Sequence, residues 1–191
     1  MDNDARPRQL EARDGDNYTV LMSAAANGHD LVVALLLSRG ANIEVRDEHG
    51  TTALMFAVQN GRATVVAQLT TAGAAIEARD ITGFTALYYA AENGHCDIAT
   101  LLLQHGAQIE AKQNTGVTPL MQASSFGRDN IVALFISLGS QLEAEDNAGW
   151  TALAYASSVG HDKCAVALLA AGADPDHLDH RGRAAISRAT P

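Results

Sequence analysis

The residues able to do chemistry are few and regularly spread. Seven histidines and two cysteines stand among 22 acidic and 13 basic side chains. His29, His95 and His161 each follow a glycine and stand 66 positions apart. In a chain that repeats, that interval separates them by two units, so they cannot share an ion. Asp174, Asp176, His177, Asp179 and His180 lie closer together. Carboxylates and imidazoles of this kind could bind zinc, but the spacing fits no closed tetrahedral ligand motif. They fill turn positions more simply. Cys96 and Cys164 fall in different units, where a disulfide would exceed the Cα separation of about 7 Å that a bridge tolerates. Both read as small core residues. No phosphate-cradling G-x-x-x-x-G-K-[ST], no G-x-S-x-G nucleophile turn and no H-E-x-x-H zinc helix occurs. Asn17-Tyr18-Thr19 matches a glycosylation sequon by coincidence. No residue is therefore assigned to catalysis, to a metal or to a cofactor.

The balance of the chain narrows the field. Its 191 residues and 20.0 kDa suit one compact domain or a short array rather than a large enzyme. A hydrophobic content of 47% suffices for a packed core. The net charge of −9 argues against nucleic acid, whose phosphates need a basic face. The apolar run Leu31 to Leu37 is far short of the ~20 residues of a membrane span, so no membrane insertion is expected. The start, Met1-Asp2-Asn3-Asp4-Ala5-Arg6-Pro7, has no apolar stretch of the secretory kind. Two cysteines make no disulfide framework, which points to a reducing, intracellular setting, cytoplasm or nucleus. The acidic surface favours a monomer.

What must position any functional side chain is a repeat of 33 residues. Asp14, Asp47, Asp80, Gln113, Asp146 and Asp179 form one column at that spacing. Asn17, Gly50, Gly83, Gly116, Gly149 and Gly182 form a second. Thr19, Thr52, Thr85, Thr118 and Thr151 form a third. The threonine suits a helix N-cap, its hydroxyl accepting an otherwise unpaired amide. Pro119 stands at the first helical position, where proline costs nothing. Leu21, Leu54, Leu87, Leu120 and Leu153, with Ala24, Ala57, Ala90, Ala123 and Ala156, give a short first helix its packing face. Gly28, Gly61, Gly94, Gly127 and Gly160 end it in the left-handed conformation. A second, apolar helix runs to Gly40, Gly73, Gly106, Gly139 and Gly172. A short extended piece such as Ile76-Glu77-Ala78-Arg79 then turns into the next unit.

Three stretches carry a resemblance. Thr118-Pro119-Leu120-Met121 is similar to a T-P-L-H motif, Ala90-Ala91-Glu92-Asn93-Gly94-His95 to A-A-x-x-G-H, and Leu101-Leu102-Leu103-Gln104-His105-Gly106-Ala107 to L-L-x-x-G-A. On these motifs and the unbroken register the chain closely resembles the ankyrin repeat family. The resemblance implies an all-α ankyrin-repeat solenoid, each repeat a helix-turn-helix plus a β-hairpin loop. Residues 1–13 read as an N-terminal tail or partial repeat. Five repeats follow at 14–46, 47–79, 80–112, 113–145 and 146–178, and 179–191 form a partial C-terminal capping repeat. Ala184 replaces the capping threonine there, a loss of about 1 kcal/mol, so the last helix should fray. The histidine of T-P-L-H is replaced by Met22, Met55, Tyr88, Met121 and Ala154.

The variable columns are where a partner would bind. Tyr18, Thr51, Phe84, Val117, Trp150 and Arg183 precede the capping position. By family geometry this residue projects from the hairpin toward the concave face. Aromatic residues there suit binding hot spots, although rings packed on neighbouring hairpins would look the same. Phe126 and Val159 stand where other repeats carry asparagine. Val117, Phe126, Trp150 and Val159 are thus expected to form one apolar patch, extended through Phe84, with Tyr18 a further anchor. Arg13, Arg46, Arg79 and Lys112 form a basic column, two residues after Glu11, Glu44, Glu77 and Glu110. Residues i and i+2 of a strand share a face, so these columns could cross-pair. Alternatively Arg46, Arg79 and Lys112 read an acidic peptide.

The sequence therefore points to a non-catalytic module that binds another protein or peptide along its concave face. The alternative is a regulatory or targeting segment of a larger multidomain enzyme or scaffold, motivated by the half-units at both ends.

Overall fold

Threonine and glycine set the bounds of each helix pair. The computed structural model describes residues 10–15 and 17–184. Among these, ten short helices follow one another: α1 (Val20–Asn27), α2 (Asp30–Ser38), α3 (Ala53–Gln59), α4 (Ala63–Thr71), α5 (Ala86–Asn93), α6 (Cys96–Gln104), α7 (Pro119–Ser125), α8 (Asp129–Ser137), α9 (Ala152–Val159) and α10 (Asp162–Ala170). The fold is an all-α repeat solenoid. The expected fraying of the last helix concerns residues beyond 184, outside the described ones.

The threonine hydroxyls cap the first helices. Thr19, Thr52, Thr118 and Thr151 accept from the third helical amide at 3.3–3.4 Å. At two of these caps the residue in the histidine position completes the box. The Met22 sulfur accepts the Thr19 N–H at 3.5 Å, and the Met121 sulfur accepts that of Thr118 at 3.4 Å. Thr85 departs from the pattern. Its hydroxyl is buried without a hydrogen-bond partner, and the Tyr88 amide donates instead to the Thr85 carbonyl at 3.1 Å. That i→i+3 bond tightens the first turn of α5.

The hairpins contain less β-structure than expected. Each is a tight turn held by two backbone bonds, such as Asp47 N–H to Thr51 O at 3.2 Å with Gly50 N–H to Asp47 O at 3.1 Å, and Asp146 N–H to Trp150 O with Gly149 N–H to Asp146 O, both at 3.0 Å. Pairing of the strand type is limited, among the described residues, to isolated bridges at Arg13–Thr19 and Leu178–Ala184. The turn is too short to support a ladder. Glycine is needed where turns stack: a Cβ on Gly116, at φ 85°, would lie 2.9 Å from the Asn147 amide nitrogen. Asn17 takes the same role at φ 68°, a conformation asparagine tolerates better than most.

The chain forms two compact units, one of residues up to Tyr89 together with Thr100–Ala107, the other of Ala90–Ala99 with the residues from Gln108 onward. In the first, α1 packs on α3 and α2 on α4. In the second, α7 packs on α9 and α8 on α10. Leu21, Leu54, Leu87, Leu120 and Leu153 are all buried, as are the alanines three residues on. The small alanines let the helices of each unit approach closely.

Candidate hairpin binding site

The aspartate column builds a platform. Asp80 Oδ1 accepts the amides of Thr82 and Phe84, each at 2.8 Å. Asp146 Oδ1 accepts those of Ala148 and Trp150, also at 2.8 Å. Asp179 holds Arg181 and Arg183 in the same way at 2.9 Å. The turn is thereby fixed, and the residue before the capping position is presented at a set place.

On that platform the rings pair. Phe84 stacks on Tyr88 with centroids 4.7 Å apart and meets Tyr89 edge-on at 5.7 Å. Trp150 lies against Tyr155 at 5.2 Å, tilted by 58°. Tyr18 meets Phe56 edge-on at 5.0 Å. The tyrosine hydroxyls lock the arrangement from beneath: Tyr89 donates to Asp80 Oδ2 and Tyr155 to Asp146 Oδ2, both at 2.7 Å. Burial pushes the Tyr155 phenol well above its usual range, and the hydrogen bond and charge of Asp146 push the same way. Burial alone would raise the Asp80 carboxyl. The bonds from the Thr82 hydroxyl, the Tyr89 phenol and the Phe84 and Thr82 amides outweigh it and leave Asp80 below its ordinary value.

Two open pockets result. In the first unit, Tyr18, Phe56, Phe84, Tyr89, Ile81 and His49 line about 360 Å³. In the second, Trp150, Tyr155, Asp146, His180, Arg181 and Arg183 line about 600 Å³.

Residues 3–80, 21–113 and 109–179 each match the family model for ankyrin repeats (3 copies). The chain belongs to the ankyrin repeat family. Ankyrin repeats are generally protein–protein interaction modules, and such domains are typically non-catalytic. No curated protein matches this ankyrin-repeat chain.

Not every candidate residue lies where the sequence suggested. Val117 is 6% exposed and belongs to the core; its side chain is short enough to sink where Tyr, Phe and Trp cannot. The expected patch is therefore not continuous through it. Phe126 and Val159 are exposed, at 42% and 56%, at the ends of α7 and α9. Neither lines the Trp150 pocket. The asparagines that replace them elsewhere bond their own helices, Asn27 to the Ser23 carbonyl at 2.8 Å and Asn60 to that of Phe56 at 2.9 Å.

Seven members of the acidic and basic columns bond to backbone rather than to one another in the bonds below. Each stitches the backbone of the next repeat. Arg13 donates to the Arg46 carbonyl at 2.9 Å, Arg46 to that of Arg79 at 2.7 Å and Lys112 to that of Glu145 at 2.8 Å. Glu11, Glu44, Glu110 and Glu143 accept the amides of Asn42, Ala75, Gln141 and Asp174 at 2.7–2.8 Å. The position after the first-helix glycine also stitches: Arg62, Arg128 and His161 reach the carbonyls of Ala26, Glu92 and Ser125 at 2.7–3.1 Å. The two guanidinium groups suit a helix C-terminus.

Among the described residues, no group of three metal-ligating side chains is placed to hold an ion. His177 sits between Glu143 at 3.7 Å and Glu145 at 3.4 Å. Both cysteines are free thiols. Burial raises that of Cys164 to about 12, helped by its bond to Asp129 at 3.1 Å. No helix among the described residues is long and apolar enough to cross a membrane.

Sequence reasoning missed Phe56, Tyr89 and Tyr155. Each stands five residues after the variable hairpin position of its own repeat. The pattern aspartate, aromatic four residues on, tyrosine five beyond, occurs at Asp80-Phe84-Tyr89 and Asp146-Trp150-Tyr155 and would have found two of them.

Proposed function

We propose that the chain is a non-catalytic module that binds a protein or peptide through its hairpin turns and first helices. The observation that carries this reading is the pair of aromatic rings held half-buried on rigid turns, each beside an open pocket. Rings that are already fixed lose little side-chain freedom on binding, and Trp and Tyr dominate binding hot spots. Trp150, Phe84 and Tyr18 are the anchors, with Tyr155, Tyr89 and Phe56 as their supports. Phe126 and Val159 add exposed apolar contact at helix ends. Arg46, Arg79 and Lys112 contribute at the rim, with Arg46 and Lys112 already committed in part to backbone carbonyls.

Affinity capture from lysate of the source cells tests this, with the wild-type chain beside a Phe84/Phe126/Trp150 triple-alanine variant of intact fold. A protein held by the first and lost by the second supports the reading. The same proteins held by both would move the site away from the hairpins.

A further inference from the structure

We propose that the Trp150 pocket takes a carboxylate-bearing residue flanked by an apolar side chain, within a peptide segment of the partner. This rests on the reading of Trp150 as a partner contact and adds the chemistry that the contact selects.

The pocket offers an aromatic wall and several charges, but most of the charges are spent. Asp146 accepts two amides on one oxygen and the Tyr155 hydroxyl on the other. Asp179 is 6% exposed and is filled by two amides and by the Arg183 guanidinium at 2.9 and 3.1 Å. His180 faces Glu145 at 3.4 Å. A carboxylate whose acceptor sites are filled has little left to offer a cation or a donor.

Arg181 is different. Its amide is fixed in the Asp179 turn, while its exposed guanidinium makes no hydrogen bond or ion pair among the described residues. Every other basic side chain described in this unit is engaged: Lys112 with the Glu145 carbonyl, Arg128 with that of Glu92, Lys163 with Asp129, and Arg183 with Asp179. The residue that carries the one uncommitted guanidinium of the unit, among the described residues, thus lines the pocket walled by the indole. A guanidinium presents a rigid fork of donors that a carboxylate fits in bidentate fashion. The neighbouring rings bury the apolar flank of the same ligand and thin the water around the ion pair, which strengthens it. The first-unit pocket has no lysine or arginine in its lining, so a neutral apolar residue suits it.

Trp150 is the only tryptophan of the chain, so its emission reports this pocket directly. The full chain is titrated at low salt with an acetylated, amidated Gly-Leu-Glu-Leu peptide and with its Gly-Leu-Gln-Leu counterpart. The expected result is a saturable emission change with the glutamate peptide binding roughly fivefold more tightly, the size of an exposed charge-assisted pair. In the Arg181→Gln chain, whose free emission should match wild type, the two peptides should bind alike. Equal binding of both peptides by the wild-type chain overturns the proposal and leaves Trp150 as an apolar contact. No emission change with either peptide removes Trp150 from the binding surface, and the broader reading falls with it.

Discussion

The turns at Phe84 and Trp150 are built from the same three parts and differ in what lies under the ring. Both rings stand four residues after an aspartate that holds their amide, and both face a tyrosine bonded to that aspartate. Beneath Phe84 lies a second ring, that of fully buried Tyr88, stacked at 4.7 Å. The equivalent residue beneath Trp150 is Ala154. Both rings line open pockets, but Phe84 is also stacked on a core ring of its unit, whereas the indole has no ring at the equivalent position beneath it. One column can thus hold a ring stacked on the core in one repeat and a ring without that support in another, and the residue four positions further along sets the difference.

The largest expected effect separates the two directly. Trp150→Ala should weaken partner binding by roughly 2–4 kcal/mol, as for a central hot spot. Its cost in folding should fall clearly below that of Leu102→Ala, where loss of a buried leucine predicts about 2–5 kcal/mol. Urea titration beside a binding isotherm measures both. Equal stability losses would place Trp150 in the core and erase the distinction.

Phe84→Ala should show the reverse balance. Removing a half-buried ring stacked on Tyr88 should cost about 2–3 kcal/mol of stability, with a smaller loss of affinity than at Trp150. A fold as stable as wild type would mean that the stack contributes nothing and that Phe84 is as free as Trp150.

The fold could be read from the sequence because its causes are local and recur every 33 residues. A threonine caps, leucine and alanine pack, and glycine stops. The site was only partly legible, because a column shows which residues share a position and not how deep each one sits. Val117 and Trp150 share a column, yet one is buried and the other lines a pocket. Val32 and Val65 likewise share a column and a residue type; Val65 is buried and Val32 exposed, as are Val20 and Leu35 of the same repeat. Depth depends on the neighbouring repeat, which periodicity alone does not reveal. The stitching by Arg46 and Lys112 was hidden for a related reason. Spacing put acids and bases on one face, but the backbone of the next repeat offered both of them nearer partners.

The two turns should also differ in how pH breaks them. The folded state holds Asp80 below its ordinary value of 3.8. Its contribution is thus complete above that pH and is lost as the pH falls. Tyr155 is raised above 10, so its contribution is complete below pH 10 and is lost as the pH climbs. Asp80→Asn should flatten the acid limb of a stability profile, and Tyr155→Phe the alkaline limb. Tyr155→Phe should also cost about 1 kcal/mol near neutrality, where it leaves an oxygen of Asp146 without its donor. Thermal melts across the pH range, with tyrosine ionisation followed by absorbance, measure these effects. Unchanged limbs in both variants would mean that the hydroxyl–aspartate locks carry no stability.

The smallest effect belongs to the position that separates the two turns. Where Tyr88 and Ala154 stand, Met22 and Met121 direct their sulfur to the amide of the capping threonine. A thioether is a weak acceptor, and leucine nearly matches methionine in volume. Met121→Leu should therefore keep the packing and lose only the sulfur bond, at a cost of about 0.5 kcal/mol. The Thr118 amide should then exchange faster with solvent, while amides deeper in α7 stay as they were. If exchange at Thr118 does not change, the sulfur is there for its bulk alone. That outcome would leave ring stacking, as at Tyr88, the one specific interaction this position contributes, and would sharpen the contrast between Phe84 and Trp150.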